Sequence, residues 1–539
     1  MKSKHVPVLI VGGGLSGLAS ALFLAKHNID YLLIERHPST TIHPKAGGIT
    51  FRTMELFREL GLEKRIRLAG KALETCHGRI AVQTIAEVKN EELEQIRATQ
   101  YENNEKLVHK VEEISPSKQT ACYQITLEEM MLQYAKKLGG KISFYYELVS
   151  YEQNENGVIA TIRDCETKEE STVYCDYVIA ADGAKSKVRE QLGILTEGRG
   201  TIGGYYMNIY FEADLSEFIK GDAFGFSMVL HPEVLGALIP VDNVSKWIYH
   251  VAYDPIKGER PEDFSIERCK QIIQTAIGSM EINPEILSVL PWEASESTAV
   301  KFQDNRIFLV GDSAHIMPPT GGFGSNTGIQ DAHNLAWKLA AVIKGKANPK
   351  LLETYHDERY PVAKLTTDHA SSMLFRAAGR EVGNLSNMDS LAVAAGYQYC
   401  SEAIIDECNT PHRMDIVDLN GRPGTRAPHF WGTYEGKEVS ILDLFGSNFV
   451  LLTGAEPSAW TEAARDVSSK LGVNIKVYRV GLSGDFVAQE NVLSELYGIG
   501  NGGATLIRPD GFIGWRLEKE VVNPDVVLEE VMGNLLCDF

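Results

Sequence analysis

The sequence is poor in cysteine: eight in 539 residues, at positions 76, 122, 165, 175, 269, 400, 408 and 537, with no C-x-x-C or C-x-x-x-C among them. That excludes a disulfide framework and a zinc pattern, and it predicts reduced thiols in a cytoplasmic compartment. Basic charge is not in excess either. The formal net charge of −19 argues against a nucleic-acid partner, because phosphate backbones need a basic surface. No stretch approaches the roughly 18 uninterrupted apolar residues of a membrane span. Lysines precede an apolar run in "MKSKHVPVLIV", as in a leader. That run is short and leads straight into glycines, so a first strand is predicted instead. There is no solenoid-type repeat and no long low-complexity tract. The length predicts two or three domains.

Glycine, by contrast, is placed with purpose. "VPVLIV" reads as a strand buried on both faces of a parallel sheet. Gly12, Gly14 and Gly17 follow in G-x-G-x-x-G spacing, then a helix with Leu15, Leu18, Ala19, Leu22 and Ala25 on one face, then the strand "YLLIER". In this context the first glycine turns tightly, the second admits a pyrophosphate, and the third lets helix pack on strand. The helix start supplies free N–H groups to phosphate, and Glu35 is placed for a ribose hydroxyl. The fingerprint predicts an adenine dinucleotide and leaves NAD and FAD open. Gly198–Gly203 and Gly498–Gly503 match the same spacing. Neither stands between a buried strand and a helix, so both are expected to be loops.

Two later segments end a strand in an acid and a glycine: "YCDYVIAADGAKSKVREQLGI" (174–194), with Asp182 and Arg189, and "NRIFLVGDSAHIMPPTGGFGSNTGIQDAHNLAWKLA" (305–340), with Gly311 and Asp312. Open α/β sheets bind ligands at such carboxyl ends. In the second, Ile329, Ala332, Ala336, Leu339 and Ile343 recur at helical spacing. Thr327 and Gln330 form a capping-box pattern that predicts a helix start near Asn326.

These segments, in this order and spacing, resemble the three motifs of the group A flavoprotein monooxygenases, the single-component aromatic hydroxylases of the p-hydroxybenzoate hydroxylase type. "HPKAGGITFRTMEL" (43–56), Gln124 and "LLETYHDERYPVA" (351–363) extend the resemblance over most of residues 1–380. It implies noncovalent FAD. The ADP half would lie on Gly12, Gly14, Ser16, Gly17, Glu35 and Arg36. Gln124, Asp182, Arg189, Gly311 and Asp312 would lie along the cofactor's body. Pro319, Gly322, Gly324, Ser325 and Asn326 would lie at the flavin, with the amides of Ser325 and Asn326 facing its electron-rich edge. Pro318 and Pro319 would stiffen the turn where reactive oxygen must sit. Arg52 follows the family pattern and is assigned to the cofactor. Lys45 stands where the family commonly has arginine, so the charge survives without the bidentate fork. His315 and His333 match structural histidines of the family, and no metal site is expected.

Residues 196–290 alternate apolar and polar in "YYMNIYFEADL", "FGFSMVL", "GALIPV" and "WIYHVAY", which predicts an antiparallel sheet inserted into the FAD domain. By resemblance it roofs the substrate, with Tyr205, Met207, Phe224, Phe226, Met228 and Trp247 as candidate lining. The FAD domain would comprise residues 1–195 and 291–400, followed by a linker over 401–424. Residues 425–539 resemble the thioredoxin-like C-terminal domain of the phenol hydroxylase and aromatic polyketide hydroxylase branch, without the redox C-x-x-C. The expected fold is thus α/β: a Rossmann-type FAD domain, an inserted antiparallel substrate sheet and a thioredoxin-like domain.

The implied reaction is hydroxylation of a small phenolic or polycyclic aromatic substrate by O2, through a flavin C4a-hydroperoxide. NADPH or NADH would serve as a transient reductant, because no second Rossmann unit is present. The turn at 317–326 has no ionisable side chain, which disfavours a peroxide anion. Baeyer–Villiger oxidation of a polycyclic ketone and a flavin-bound protein that shields an unstable intermediate are the alternatives. A monomer and a homodimer both fit the sequence.

Overall fold

The computed structural model describes residues 4–76, 78–87, 90–219, 223–380, 389–405, 420–455 and 459–537. Most of the expected linker and Cys408 lie outside them. The apolar strand Lys4–Val11 runs parallel to Tyr31–Glu35 on one side and to Glu170–Ala180 on the other. Lys141–Phe144 and Ile307–Leu309 extend the sheet in parallel on its two flanks. The hairpin Tyr146–Asn154 with Gly157–Asp164 attaches antiparallel to Glu170–Ala180. Val8, Leu9 and Ile10 are fully buried, as the unbroken apolar run requires of a strand covered on both faces. Helix Leu15–Lys26 packs against the long helix Phe323–Ile343, so the two glycine-rich turns stand side by side although they are far apart in sequence.

The second sheet is ordered His315–Ile316, Glu285–Ala299, Thr196–Glu212, Lys246–Tyr253, Gly236–Pro240, Phe226–Val229, Arg79–Val82. All its pairings are antiparallel except the last. It therefore recruits Arg79–Val82 from the first segment, and its strand Glu285–Ala299 runs past residue 290. Gly198–Gly203 lies inside the strand Thr196–Glu212, with register shifts at both ends of that stretch. This corrects the expected loop: strand glycines here mark bulges. Gly498–Gly503 forms no helix or strand.

The third sheet is ordered Lys437–Ser440, Trp431–Tyr434, Phe486–Val487, Ile475–Val480, Phe449–Gly454, Ala504–Ile507, Ile513–Leu517. Phe449–Gly454 is parallel to Ile475–Val480 and antiparallel to Ala504–Ile507. Helices Trp460–Leu471 and Pro524–Leu535 bury Ala464, Val467, Leu528 and Met532 in one core with Leu451 and Leu506. This is the arrangement expected of a thioredoxin-like domain.

Candidate functional site

A cleft of about 500 Å3 opens at the carboxyl end of the first strand. The Gly12–Gly17 turn forms its floor, and backbone approaches backbone closely there. A Cβ on Gly17 would lie 1.9 Å from the Gly12 carbonyl oxygen. Gly14 differs: a Cβ there would meet only Glu128 Oε1, at 3.7 Å. The space above Gly14 is therefore free for a ligand, as a pyrophosphate subsite requires. Glu35 is fixed at the strand end, accepting from the Gly13 amide at 2.7 Å and the His37 amide at 2.9 Å. Arg36, Lys45, Gln124 and Asp182 also line the cleft.

Glu128 was not legible as a site residue. It is buried beneath Gly14 and accepts from the Thr41 amide at 2.9 Å and Gln124 Nε2 at 2.6 Å. Burial raises its carboxyl above the usual range against the pull of those bonds. The available signal was the Gln124–Glu128 spacing, which puts both on one helix face.

Asp182 and Arg189 hold two turns together. Asp182 accepts from Ser186 Oγ at 2.5 Å and the Val188 amide at 3.2 Å, at the start of the short helix Lys187–Gln191. Arg189 donates to the Ser313 carbonyl at 2.7 Å and the Ala184 carbonyl at 3.1 Å. The second glycine turn is thereby tied to the 182–189 loop. Gly311 sits at φ 66°, and a Cβ on it would lie 2.1 Å from Ser16 Oγ. Ser16 is thus wedged against both Gly311 and Gly328 of the long helix, since a Cβ on Gly328 would lie 2.4 Å from the same atom.

Asp312 has open area around its side chain, yet protein surrounds that opening. Burial raises its carboxyl, with His315 and Lys45 pulling the other way. Lys45 is exposed at the cleft. An acid with no hydrogen-bond partner among the described residues suits a polar group of a bound cofactor.

The late helix starts at Phe323, earlier than the capping-box reading predicted. Thr327 lies inside the helix and its hydroxyl donates to the Phe323 carbonyl at 3.0 Å, so it cannot cap. Gly321 and Gly322, at φ 79° and 66°, make the turn into the helix. A Cβ on Gly322 would meet nothing within 4 Å. The free first-turn amides are those of Phe323, Gly324 and Ser325, a shift from the expected Ser325 and Asn326. Asn326 acts through its side chain: Oδ1 accepts from the Thr50 amide at 3.0 Å, and Nδ2 donates to Gly48 and Gly322 carbonyls at 3.0 and 2.7 Å. It ties the helix start to the Gly48–Thr50 strand end. Pro318 is buried and Pro319 exposed.

Arg52 is placed elsewhere. It is buried, donates to Glu55 Oε2 at 2.9 Å and to the Asp510 carbonyl at 3.1 Å, and lies over the Phe512 ring. The assignment to the cofactor is corrected: Arg52 joins the FAD domain to the C-terminal domain.

The candidate roof residues divide between two faces. Met207 and Trp247 are buried with Ile272, Ile273 and Ile277 of helix Ile266–Ile277. Tyr205 shares that parity and packs on Tyr253. Phe224 is buried beneath Arg97. Phe226 and Met228 lie in register with Ile239 and Ala237, and so with Ile248 and His250, on the opposite face. That face looks toward the FAD domain. His43 Nδ1 meets Ser288 Oγ at 2.5 Å, and Tyr123 donates to the Pro240 carbonyl at 2.7 Å. Tyr206 stacks on Trp292 at 4.7 Å, and His250 stands edge-on to Trp292. Met207 and Trp247 are thus corrected from lining to core of the other face, and Tyr205, exposed beside Tyr253, is corrected to that same outer face. Burial lowers His43 and His250 to about 4 each, so both imidazoles are neutral at pH 7. His315 pairs with Asp331 at 2.7 Å and His333 with Glu59 at 3.2 Å, the structural roles expected.

With this geometry in view, comparisons with known proteins are specific. Residues 5–370 match the family described as FAD binding domain, and residues 420–536 match the C-terminal domain of aromatic-ring hydroxylases. The tetracenomycin A2 monooxygenase-dioxygenase of Streptomyces glaucescens is 40% identical, over 96% of this chain and 94% of its own. The aklavinone 12-hydroxylase of Streptomyces purpurascens is 35% identical over 99% and 100%. A crystal structure of aklavinone-11 hydroxylase with FAD and aklavinone superposes with a TM-score of 0.88 at 33% identity, covering 100% of both chains. The chain belongs to the FAD-binding aromatic-ring hydroxylase family and is an FAD-dependent monooxygenase.

Proposed function

We propose that this enzyme hydroxylates a polycyclic aromatic polyketide, with NADPH or NADH as a transient reductant. The observation that carries the substrate class is full-length similarity, through roof and C-terminal domain, to enzymes named for tetracenomycin and aklavinone. FAD, when bound, supplies the reductive activation of O2 that makes one oxygen atom electrophilic.

The chain's own residues supply binding, orientation and dryness. Gly12, Gly14 and Glu35 would hold the ADP half, and Asp312 the middle of the cofactor. The amides of Phe323, Gly324 and Ser325 would face the flavin's electron-rich edge, where aligned N–H groups favour developing negative charge. Pro318, Pro319 and the Asn326 side chain stiffen this wall. Phe226, Met228, Tyr206 and Trp292 present an apolar, aromatic surface suited to a planar ring system. Residues 1–195 with 291–400 would form the cofactor body, 196–290 the main part of the roof, and 425–539 the C-terminal unit joined through 401–424. The test is substrate-dependent NAD(P)H consumption with a panel of tricyclic and tetracyclic phenols, followed by carbon NMR of the product. A new phenolic carbon is expected. An ester carbon would mean Baeyer–Villiger chemistry, and no substrate-dependent consumption would mean a shielding protein.

A further inference from the structure

The core between the FAD domain and the C-terminal domain is charged and fully buried. Glu358 accepts from Lys338 at 2.8 Å, Ser401 at 2.7 Å and both terminal nitrogens of Arg508, at 2.7 and 2.9 Å. Arg508 also pairs with Asp510, which accepts from Trp337 Nε1 at 3.1 Å. The next residue of the same helix, Arg359, turns the other way. Its Nε donates to Asp331 Oδ1 at 2.7 Å. The other oxygen of Asp331 accepts from His315 Nε2 at 2.7 Å and the Gly311 amide at 3.2 Å. Arg359 is held in turn by Tyr399 Oη at 3.0 Å, and the Tyr399 ring stacks on Phe512 of the C-terminal domain at 4.2 Å. Neighbouring Tyr397 stacks on Phe512 too, and donates to Gln330 of the late helix at 2.7 Å.

We infer that the C-terminal domain completes the cofactor site: Phe512, through Tyr399 and Arg359, holds Asp331, the positioning residue that fixes the Gly311 amide and so the direction of Asp312. The inference rests on reading Asp312 as a cofactor residue. The physical reason is that Asp331 has no solvent to reorient it, and Arg359, His315 and the Gly311 amide, which bind it, each belong to another element. A free carboxylate there would be strongly disfavoured. Its orientation therefore follows Arg359, which also donates to the Thr327 carbonyl at 3.3 Å and is anchored across the domain junction by Tyr397 and Tyr399, the pair stacked on Phe512.

The test uses full-length protein titrated with FAD, with flavin absorption and melting temperature as parallel readouts. Phe512→Leu and Tyr399→Phe should each weaken FAD binding about 3- to 30-fold, the range of couplings carried by packed networks. Both should also alter the bound-flavin spectrum. Tyr399→Phe combined with Asp331→Asn should be non-additive, because both act on Arg359. Phe512→Tyr retains the stack and should restore affinity. Phe486→Leu, in the C-terminal domain's own core, should lower the melting temperature yet leave FAD affinity unchanged. Unchanged affinity in Phe512→Leu, or equal loss in Phe486→Leu, overturns the coupling. If Asp312→Ala itself leaves FAD affinity unchanged, the reading of Asp312 fails instead.

Discussion

Replacing Gly311 by alanine probes the junction of the two glycine turns. At φ 66° an alanine carries the left-handed penalty of about 1–2 kcal/mol. Its Cβ would also stand 2.1 Å from Ser16 Oγ and 2.9 Å from Ser16 Cβ, an overpacking that typically adds about 1–3 kcal/mol. Without cofactor the turn can shift to relieve the clash. FAD requires both turns in register, so the strain falls on affinity. At about tenfold per 1.4 kcal/mol, FAD binding should weaken roughly 30-fold or more. Ser16→Gly removes both contacts below 3 Å and leaves Gly328 Cα at 3.6 Å, an ordinary distance. On its own Ser16→Gly costs a helix about 0.5–1 kcal/mol, yet in the double variant it should improve FAD binding. Gly328→Ala supplies the comparison: its Cβ meets Ser16 Oγ at 2.4 Å but also Gly311 Cα at 2.9 Å. That backbone contact persists after Ser16→Gly, so rescue should be smaller. Dissociation constants from quenching of free-flavin fluorescence decide the matter. Simple addition of the two penalties, or equal rescue of both alanines, would refute the reasoning.

Gly14→Val should leave folding intact and abolish FAD retention, because its side chain fills only the open cleft. Gly17→Ala should fail to fold, with its Cβ 1.9 Å from the Gly12 carbonyl oxygen; circular dichroism and flavin content separate the two. Gly200→Ala and Gly500→Ala should both keep FAD. Asp312→Asn should weaken FAD by about 1.5–3 kcal/mol, as for a hydrogen bond to a charged group. It should also raise the melting temperature of the cofactor-free protein at neutral pH, since a carboxyl raised by burial opposes folding once ionised. His27, His43 and His250 are lowered by burial from 6.5 to about 3, 4 and 4. Their folded values lie below the unfolded one, so the unfolded chain binds more protons in that window. The stability they contribute is present above about 6.5 and lost as pH falls toward 4, which melting curves across that range will show.

The first strand, the Gly12–Gly17 fingerprint and Glu35 were legible because their chemistry is local: run length, glycine spacing and strand end lie within one short stretch. The later glycine turn was legible as a ligand wall for the same reason. Its helix start was not. The Thr327 hydroxyl bonds within the helix and Gln330 is taken by Tyr397, choices made by neighbours rather than by adjacent residues. Strand alternation was equally visible, but which parity faces the FAD domain depends on where helix Ile266–Ile277 packs. That separates Met207 and Trp247 from Phe226 and Met228. Arg52 sits in a motif that points to the cofactor, and only the docking of Phe512 and Asp510 against it shows that it serves the domain junction. Local spacing sets backbone turns and helix or strand propensity, so the sequence alone determined the fold class and an adenine-dinucleotide site, and the family resemblance of its motifs narrowed that to FAD. The partners of buried charges such as Glu358, Asp331 and Arg508 come from segments far apart in the chain, and each charge must be satisfied where water is excluded. Only the tertiary structure could decide those.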